Sequence, residues 1–107
     1  MLLSQQTQPR FFLVREQTGE RVELTGKPLL AGSETGTADY RIAGNTHISR
    51  RHAEFVLGPE GCMVTDMGST NKTYVNDCAL TPGTPRPLAP GDRIRLANES
   101  FTLLQEA

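Results

Sequence analysis

Two short stretches of the sequence concentrate side chains that can donate hydrogen bonds or carry positive charge. The first, HISRRHAEF, spans residues 47–55, and the second, DMGSTNKTYVN, spans residues 66–76. Hydroxyl and guanidinium groups held close together can donate several hydrogen bonds to one ligand. Residues 41–53 hold three arginines and two histidines but no acid, in a chain whose formal net charge is -1. This local excess of positive charge favours an anion at that end of the fold.

The same residues could in principle serve other kinds of chemistry. Ser49, His52 and Asp66 are the residue types of a hydrolytic triad, but no G-x-S-x-G elbow surrounds the serine. His47 and His52 could ligate a metal, but no third and fourth ligands accompany them. Ser49 and Thr70 could also do no more than cap their own turns. We therefore expect no catalytic residue, no metal site and no cofactor.

The elements that must position these side chains are short β-strands. Apolar residues alternate with polar ones in brief runs, turn residues separate the runs, and no window keeps a 3.6-residue apolar period. This pattern predicts an antiparallel all-β sandwich or barrel, whose connecting loops cluster at its two ends. The loops at 43–51 and 68–72 are then natural candidates for a binding surface. The predicted strands lie at 11–16, 21–24, 29–32, 40–42, 52–57, 62–67, 73–75, 92–97 and 99–104.

Composition limits the kind of protein that carries these loops. The chain has 107 residues, 36% of them hydrophobic and 21% charged, which suits one globular domain. We place that domain at residues 10–105 and a flexible polar tail at residues 1–9. The near-neutral charge argues against a nucleic-acid partner and against direct membrane contact. Two cysteines make no disulfide framework, and neither a signal peptide nor an apolar run of about 20 residues is present, so we expect a cytoplasmic, intracellular protein.

Three segments carry a resemblance to a known family. SRRH, DMGSTNKTYVN and GDRIRLANESF resemble, in order and in spacing, the S-R-x-H, D-x-x-S-T-N-G-T-x-x-N and G-D-x-I-x-L-G motifs of the forkhead-associated (FHA) domain family. The resemblance covers about residues 11–105. It implies an antiparallel two-sheet β-sandwich of about eleven strands, a signalling module that binds phosphothreonine-containing segments of partner proteins. Such a partner would be the substrate of a serine/threonine kinase.

The resemblance also implies a role for individual residues. Ser49 and Thr70 would contact the phosphate, Asn71 would bond the peptide backbone beside the phosphothreonine, and Arg50 would touch the phosphate or the flanking peptide. Structural support for the loops would come from His52, Asp66 and Asn76.

The sequence departs from the family pattern at three places. The family has Gly-Arg at the end of its third strand, and Ser33 stands where that phosphate-binding arginine belongs. Lys72 replaces a glycine, although a left-handed conformation costs lysine about 1–2 kcal/mol. Either the turn differs or Asn71 takes the strained position. Ala97 replaces another turn glycine, and Asn98 beside it could bend the chain.

The missing arginine leaves an alternative open. Ser33 and Lys72 belong to the predicted phosphopeptide site, but neither repeats the family's charged contact. Arg41, Arg50 or Lys72 could supply positive charge from another direction. If none does, the domain is a phosphate-independent scaffold of the same fold, which binds an unphosphorylated partner protein.

Overall fold

The computed structural model describes residues 9–106, and the described residues form eleven strands and no helix. The two-sheet sandwich predicted from the sequence is therefore confirmed. Strands run from Arg10 to Glu106, and all but Pro9 of the tail predicted for residues 1–9 lies outside the described residues. The strands are β1 (Arg10–Arg15), β2 (Arg21–Leu24), β3 (Leu29–Gly32), β4 (Tyr40–Arg41), β5 (Ala53–Gly58), β6 (Gly61–Asp66), β7 (Thr73–Val75), β8 (Cys78–Ala79), β9 (Arg86–Leu88), β10 (Arg93–Leu96) and β11 (Glu99–Glu106).

The strands form two packed sheets. The six-stranded sheet has the order β2-β1-β11-β10-β7-β8, and the five-stranded sheet has the order β4-β3-β5-β6-β9. Strands that are distant in the chain are neighbours in the six-stranded sheet, where β1 lies beside β11. This sheet therefore forms only when the first and last strands of the chain pair. The two polar loops belong to different sheets, since one leads into β5 and the other leads into β7.

One strand pair differs from the otherwise antiparallel pattern, because β4 runs parallel to β3. The loop at 33–39 doubles back along the edge of β3, and the amide of Asp39 donates to the carbonyl of Leu30 at 2.8 Å. The carboxylate of Asp39 in turn accepts the N–H of Leu30 at 2.8 Å. The chain therefore re-enters the sheet in its original direction and pairs Arg41 with Gly32.

The core lies between the sheets and follows from the alternation of side chains along each strand. Ile94 and Leu96 are fully buried, whereas Arg93 and Arg95, which alternate with them, face outward. Phe101 packs from β11, and Phe55, Val64 and other residues fill the opposite sheet's inner face. Each such side chain contributes about 1.5–3 kcal/mol through burial, so the strands can hold the loops without help from the loops themselves. Across residues 9–106, the structure contains no helix capable of spanning a membrane.

Candidate functional site

The two polar loops meet at one end of the sandwich. Backbone hydrogen bonds join them to their neighbours: the amide of Ser33 donates to the carbonyl of Ser49 at 3.0 Å, and the amide of Ala97 donates to that of Lys72 at 3.0 Å. A bond from the N–H of Thr70 to Ser49 Oγ joins these two pairs, so the end of β3, the loop before β5, the loop before β7 and the β10–β11 turn form one continuous surface.

His52 ties the two loops together from beneath. Its side chain is fully buried, and its Nδ1 accepts the backbone N–H of Ser49 at 3.0 Å. Nε2 therefore carries the proton and donates to the carbonyl of Lys72 at 2.9 Å. Burial lowers the pKa of His52, and this effect outweighs the opposing influence of the Lys72 bond and the Asp66 charge, which keeps the ring neutral.

The same contacts argue against the hydrolase and metal hypotheses. A triad needs the serine hydroxyl bonded to the imidazole, yet both ring nitrogens of His52 are bonded to backbone groups. The hydroxyl of Ser49 instead accepts the backbone N–H of Thr70 at 3.0 Å. Neither nitrogen of His52 is left to take a proton from a nucleophile or to ligate a metal.

Asp66 frames the second loop. Its carboxylate is buried and accepts four hydrogen bonds: from the backbone N–H groups of Gly68 (3.0 Å) and Ser69 (3.1 Å), and from the hydroxyls of Ser69 and Thr73 (2.7 Å). Burial raises the pKa of Asp66, but the bonds from Ser69 and Thr73, with the two backbone amides, outweigh it and hold the pKa below its ordinary value. The carboxylate thus stays charged and fixes the start of the 68–72 loop.

Ser49 and Thr70 lie side by side at the surface where the loops join. Because Ser49 Oγ accepts the N–H of Thr70, its own hydroxyl hydrogen can point outward as a donor. The amide nitrogen of Asn71 donates to the carbonyl of His47 at 2.9 Å, which links the loops a second time. One N–H of that amide is used inside the protein, and its second N–H and its carbonyl oxygen are what it could offer a ligand.

Two of the departures from the family pattern are accommodated in the left-handed region. Lys72 itself has a φ of 69°, so the strained position belongs to the lysine and not to Asn71. Ala97 has a φ of 56°, so the bend expected at Asn98 occurs one residue earlier. The two residues are joined, since the carbonyl of Lys72 accepts both the imidazole N–H of His52 and the amide of Ala97.

We expect Lys72→Gly to raise the free energy of unfolding by about 0.5–1 kcal/mol. Relief of the left-handed conformation gives about 1–2 kcal/mol, of which glycine's freedom in the unfolded chain takes back about 0.4–1 kcal/mol. Urea unfolding midpoints measure the change. Lys27→Gly is the matched control, because Lys27 is exposed and lacks a positive φ. The control should lose stability, and equal shifts in the two variants would contradict the assignment of strain to Lys72.

Asn76 lies at the other end of β7 from the 68–72 loop. It has a φ of 49°. Its side-chain Nδ2 donates to the carboxylate of Asp92 at 3.0 Å, and its side-chain Oδ1 accepts the backbone N–H of Arg93 at 3.0 Å. These bonds join the β7–β8 turn to the start of β10. Asn76 therefore holds the turn after TYV, and the structure keeps it away from the surface formed by Ser49 and Thr70.

Positive charge remains free at the surface. Arg50, Arg51, Arg41 and Lys72 are all exposed, and none of them forms a salt bridge with an acid within residues 9–106. Arg41 is held by the backbone, since its Nε donates to the carbonyl of Ser33 at 3.2 Å. The cations that the sequence concentrated between residues 41 and 53 are thus available to an anion.

Asn45 supports the 43–51 loop, a role that the sequence pattern did not predict. Asn45 accepts the N–H of His47 at 3.0 Å and donates to Asn98 (2.8 Å) and to the buried carboxylate of Glu99 (3.0 Å). Glu99 is paired with Arg15 at 2.7 Å. An asparagine two residues before a turn amide is a recognisable turn signal. No local pattern marks Glu99 as buried, because its partner is 84 positions away.

Comparison with known proteins identifies similar domains. The family model described as FHA domain matches residues 29–97. FraH of Nostoc sp. is 36% identical over 93 residues, which cover 78% of this chain and 32% of FraH, so the chain spans about a third of that relative's length. The FHA domain of CT664 from Chlamydia trachomatis has a TM-score of 0.84 at 26% identity, covering 92% of this chain and 99% of that domain. A structure from a structural and functional analysis of phosphothreonine-dependent FHA domain interactions has a TM-score of 0.81 at 26% identity, covering 92% and 98% of the two chains.

Proposed function

The chain belongs to the FHA domain family, and we propose that it binds phosphothreonine-containing segments of partner proteins through its 43–51 and 68–72 loops. FHA domains are protein-interaction modules and not enzymes, which agrees with the expectation drawn from the sequence. A partner phosphorylated by a serine/threonine kinase is the ligand that this proposal requires.

The observation that carries the proposal is the junction of Ser49 with Thr70. The bond from the backbone N–H of Thr70 to Ser49 Oγ joins two hydroxyl-bearing residues from different loops and leaves the serine hydroxyl hydrogen able to donate. A phosphate carries roughly -1.5 to -2 charge and three strong acceptor oxygens, so adjacent donors and nearby cations match it. The junction is also preorganised, because the neutral ring of His52 fixes the backbone beneath it.

The remaining predicted residues surround this junction. Asn71 is placed to bond the peptide backbone with the amide atoms that His47 leaves free. Arg50 follows Ser49 directly, and Lys72 follows Asn71, so both can reach the phosphate or the residues next to it. Ser33 lies beside Ser49, to which its backbone is bonded, and it offers a ligand a hydroxyl group but no charge.

Ser33 is also the observation that favours the second candidate, a phosphate-independent scaffold. In that case a partner protein would bind the same loops, and phosphorylation would make no difference to its affinity. The two functions differ in one measurable quantity, the ratio of affinities for phosphorylated and unphosphorylated forms of one peptide.

We expect a phosphothreonine peptide to bind at least about tenfold more tightly than its unphosphorylated form, since a hydrogen bond to a charged group is worth about 1.5–3 kcal/mol. The domain is screened against a degenerate phosphothreonine peptide library and against the same library without phosphate. The peptide sequence found in this way is then used for calorimetric titration. Ser49→Ala and Thr70→Ala should each lower the affinity for the phosphorylated peptide about tenfold or more, because each removes a hydrogen bond of that energy. Thr25→Ala, an exposed threonine between β2 and β3, is the control. Equal affinity for both peptide forms would support the scaffold instead.

A further inference from the structure

One arginine lies beside the phosphate-binding junction for a reason that local sequence does not reveal. Arg41 is the second of the two residues of β4, and the parallel pairing of β4 with β3 sets it opposite Gly32. Its Nε donates to the carbonyl of Ser33 at 3.2 Å, and the amide of the same Ser33 donates to the carbonyl of Ser49 at 3.0 Å. One residue, Ser33, therefore links the guanidinium of Arg41 to the backbone of Ser49.

The charge of a phosphate is what the junction itself does not balance. Ser49 and Thr70 offer neutral hydroxyls, and Ser33 offers another. Hydrogen bonds from a charged donor to a phosphate are roughly twice as strong as neutral ones, and a guanidinium can make two in parallel. The Nε of Arg41 is bonded to Ser33, which leaves its two terminal NH₂ groups as donors.

We propose that Arg41 provides the charged contact to the bound phosphate, reaching over Ser33 from β4. The inference rests on the proposed function and assigns the role to a residue outside the two loops. Arg41 is exposed and has no acidic partner within residues 9–106, so no internal salt bridge must break when an anion binds.

Arg41 is better suited to this role than its neighbours. Within the described chain, the side chains of Arg50, Arg51 and Lys72 make no hydrogen bond, whereas Arg41 is anchored through Nε. An anchored side chain loses less conformational entropy on binding, because part of its ordering precedes the ligand. Lys72 would also act as a single point charge, without the forked geometry of a guanidinium.

A double-mutant cycle tests the proposal with four proteins: the native domain, Arg41→Ala, Ser33→Arg and the double variant. Each is titrated with the library-selected phosphothreonine peptide and its unphosphorylated form. Arg41→Ala should lower the affinity for the phosphorylated peptide about tenfold to a hundredfold. Its affinity for the unphosphorylated peptide should stay within about threefold of that of the native domain. Ser33→Arg should raise the affinity of the native domain less than it raises that of Arg41→Ala, because Arg41 already supplies the charge. In the Arg41→Ala background, Ser33→Arg should raise the affinity for the phosphorylated peptide at least about tenfold, because the new guanidinium then supplies the charge that Arg41 no longer provides.

Three further measurements make the outcomes unambiguous. Arg41→Lys should recover only part of the affinity, and the salt dependence of binding should be shallower in Arg41→Ala than in the native domain. Lys27→Ala, the loss of an exposed cation between β2 and β3 and outside this surface, should bind like the native domain. If the native domain prefers the phosphorylated peptide and Ser49→Ala abolishes that preference while Arg41→Ala does not, the role of Arg41 is wrong and the proposed function stands. If the native domain shows no preference for phosphate, the proposed function itself fails. Equal weakening of both peptide forms by Arg41→Ala would show that Arg41 only supports the loop, and would overturn its assignment.

Discussion

Asp66→Ala is expected to lower the free energy of unfolding by about 3–5 kcal/mol, the range typical of removing one partner from a buried charged network. Four donors converge on this carboxylate, two of them backbone N–H groups of the 68–72 loop. Alanine leaves the buried hydroxyl of Thr73 and the loop amides without their acceptor. Urea unfolding followed by circular dichroism, with phosphopeptide titration of the folded fraction, measures both consequences.

The loss should depend on pH in a defined direction. The pKa of Asp66 in the folded protein lies below its ordinary value of 3.8. A carboxyl whose folded pKa is depressed contributes stability that is fully present above its unfolded pKa and is lost as the pH falls through its folded pKa. The pH dependence is measured with Asp66→Asn, which removes the charge of the side chain. The difference in free energy of unfolding between the native protein and this variant should be largest near neutral pH. It should narrow below about pH 4, where the unfolded carboxyl takes up a proton.

Asp77→Asn is the matched control for this experiment. Asp77 is exposed in the β7–β8 turn at a φ of 70°, a conformation that asparagine tolerates well. The control should keep stability within about 0.5 kcal/mol of the native value at neutral pH. A loss at Asp66 no larger than that of the control, or a gap that does not narrow in acid, would show that the four bonds contribute little.

Much of the fold could be predicted from the sequence because its information is local. Alternation in RIRL and HAEFVL identified β10 and β5 to within a residue at each end. The predictions failed where local signals were weak. β8 has only two residues, Cys78 and Ala79, and β9 contains Pro87, which argues against a strand except at the edge of a sheet, where β9 lies.

The two loops of the candidate site could be picked out from the sequence, but the geometry of their junction could not. SRRH and STNK placed hydroxyls and cations in two loops, and these loops do meet through Ser49 and Thr70. The sequence left open which residue near position 72 takes the strained conformation, because the answer depends on where the Lys72 carbonyl must point. It likewise listed Arg41 among several possible sources of charge. Only the parallel pairing of β4 with β3, a contact set by the returning loop, directs Arg41 to Ser33.

Gly32→Ala should be the most disruptive single methyl group in the domain, with an expected loss of about 3 kcal/mol or more, at or above the upper end of the cost of overpacking. A Cβ at Gly32 would lie 1.9 Å from the carbonyl oxygen of Arg50, 2.7 Å from its carbonyl carbon and 3.1 Å from the carbonyl oxygen of Ser49. All three are backbone atoms, so no side-chain rotation relieves the clash. The cause is close approach and not backbone strain, because Gly32 is absent from the glycines with positive φ.

The same clash links stability to binding. Relief requires the backbone at Ser49 and Arg50 to move away from β3, which breaks the bond from the Ser33 amide to the Ser49 carbonyl and displaces the Ser49 hydroxyl from Thr70. We therefore expect Gly32→Ala to lose phosphopeptide affinity even at temperatures where it remains folded, with a loss of about tenfold or more if one charged hydrogen bond is broken. Gly26→Ala is the control, since nothing lies within 4 Å of its added Cβ and its φ is not positive. Thermal unfolding of both variants, followed by titration below the lower midpoint, decides the matter. Native-like stability in Gly32→Ala would mean that the 49–51 backbone can shift freely, and native-like affinity in the same variant would mean that its position against β3 does not shape the binding surface.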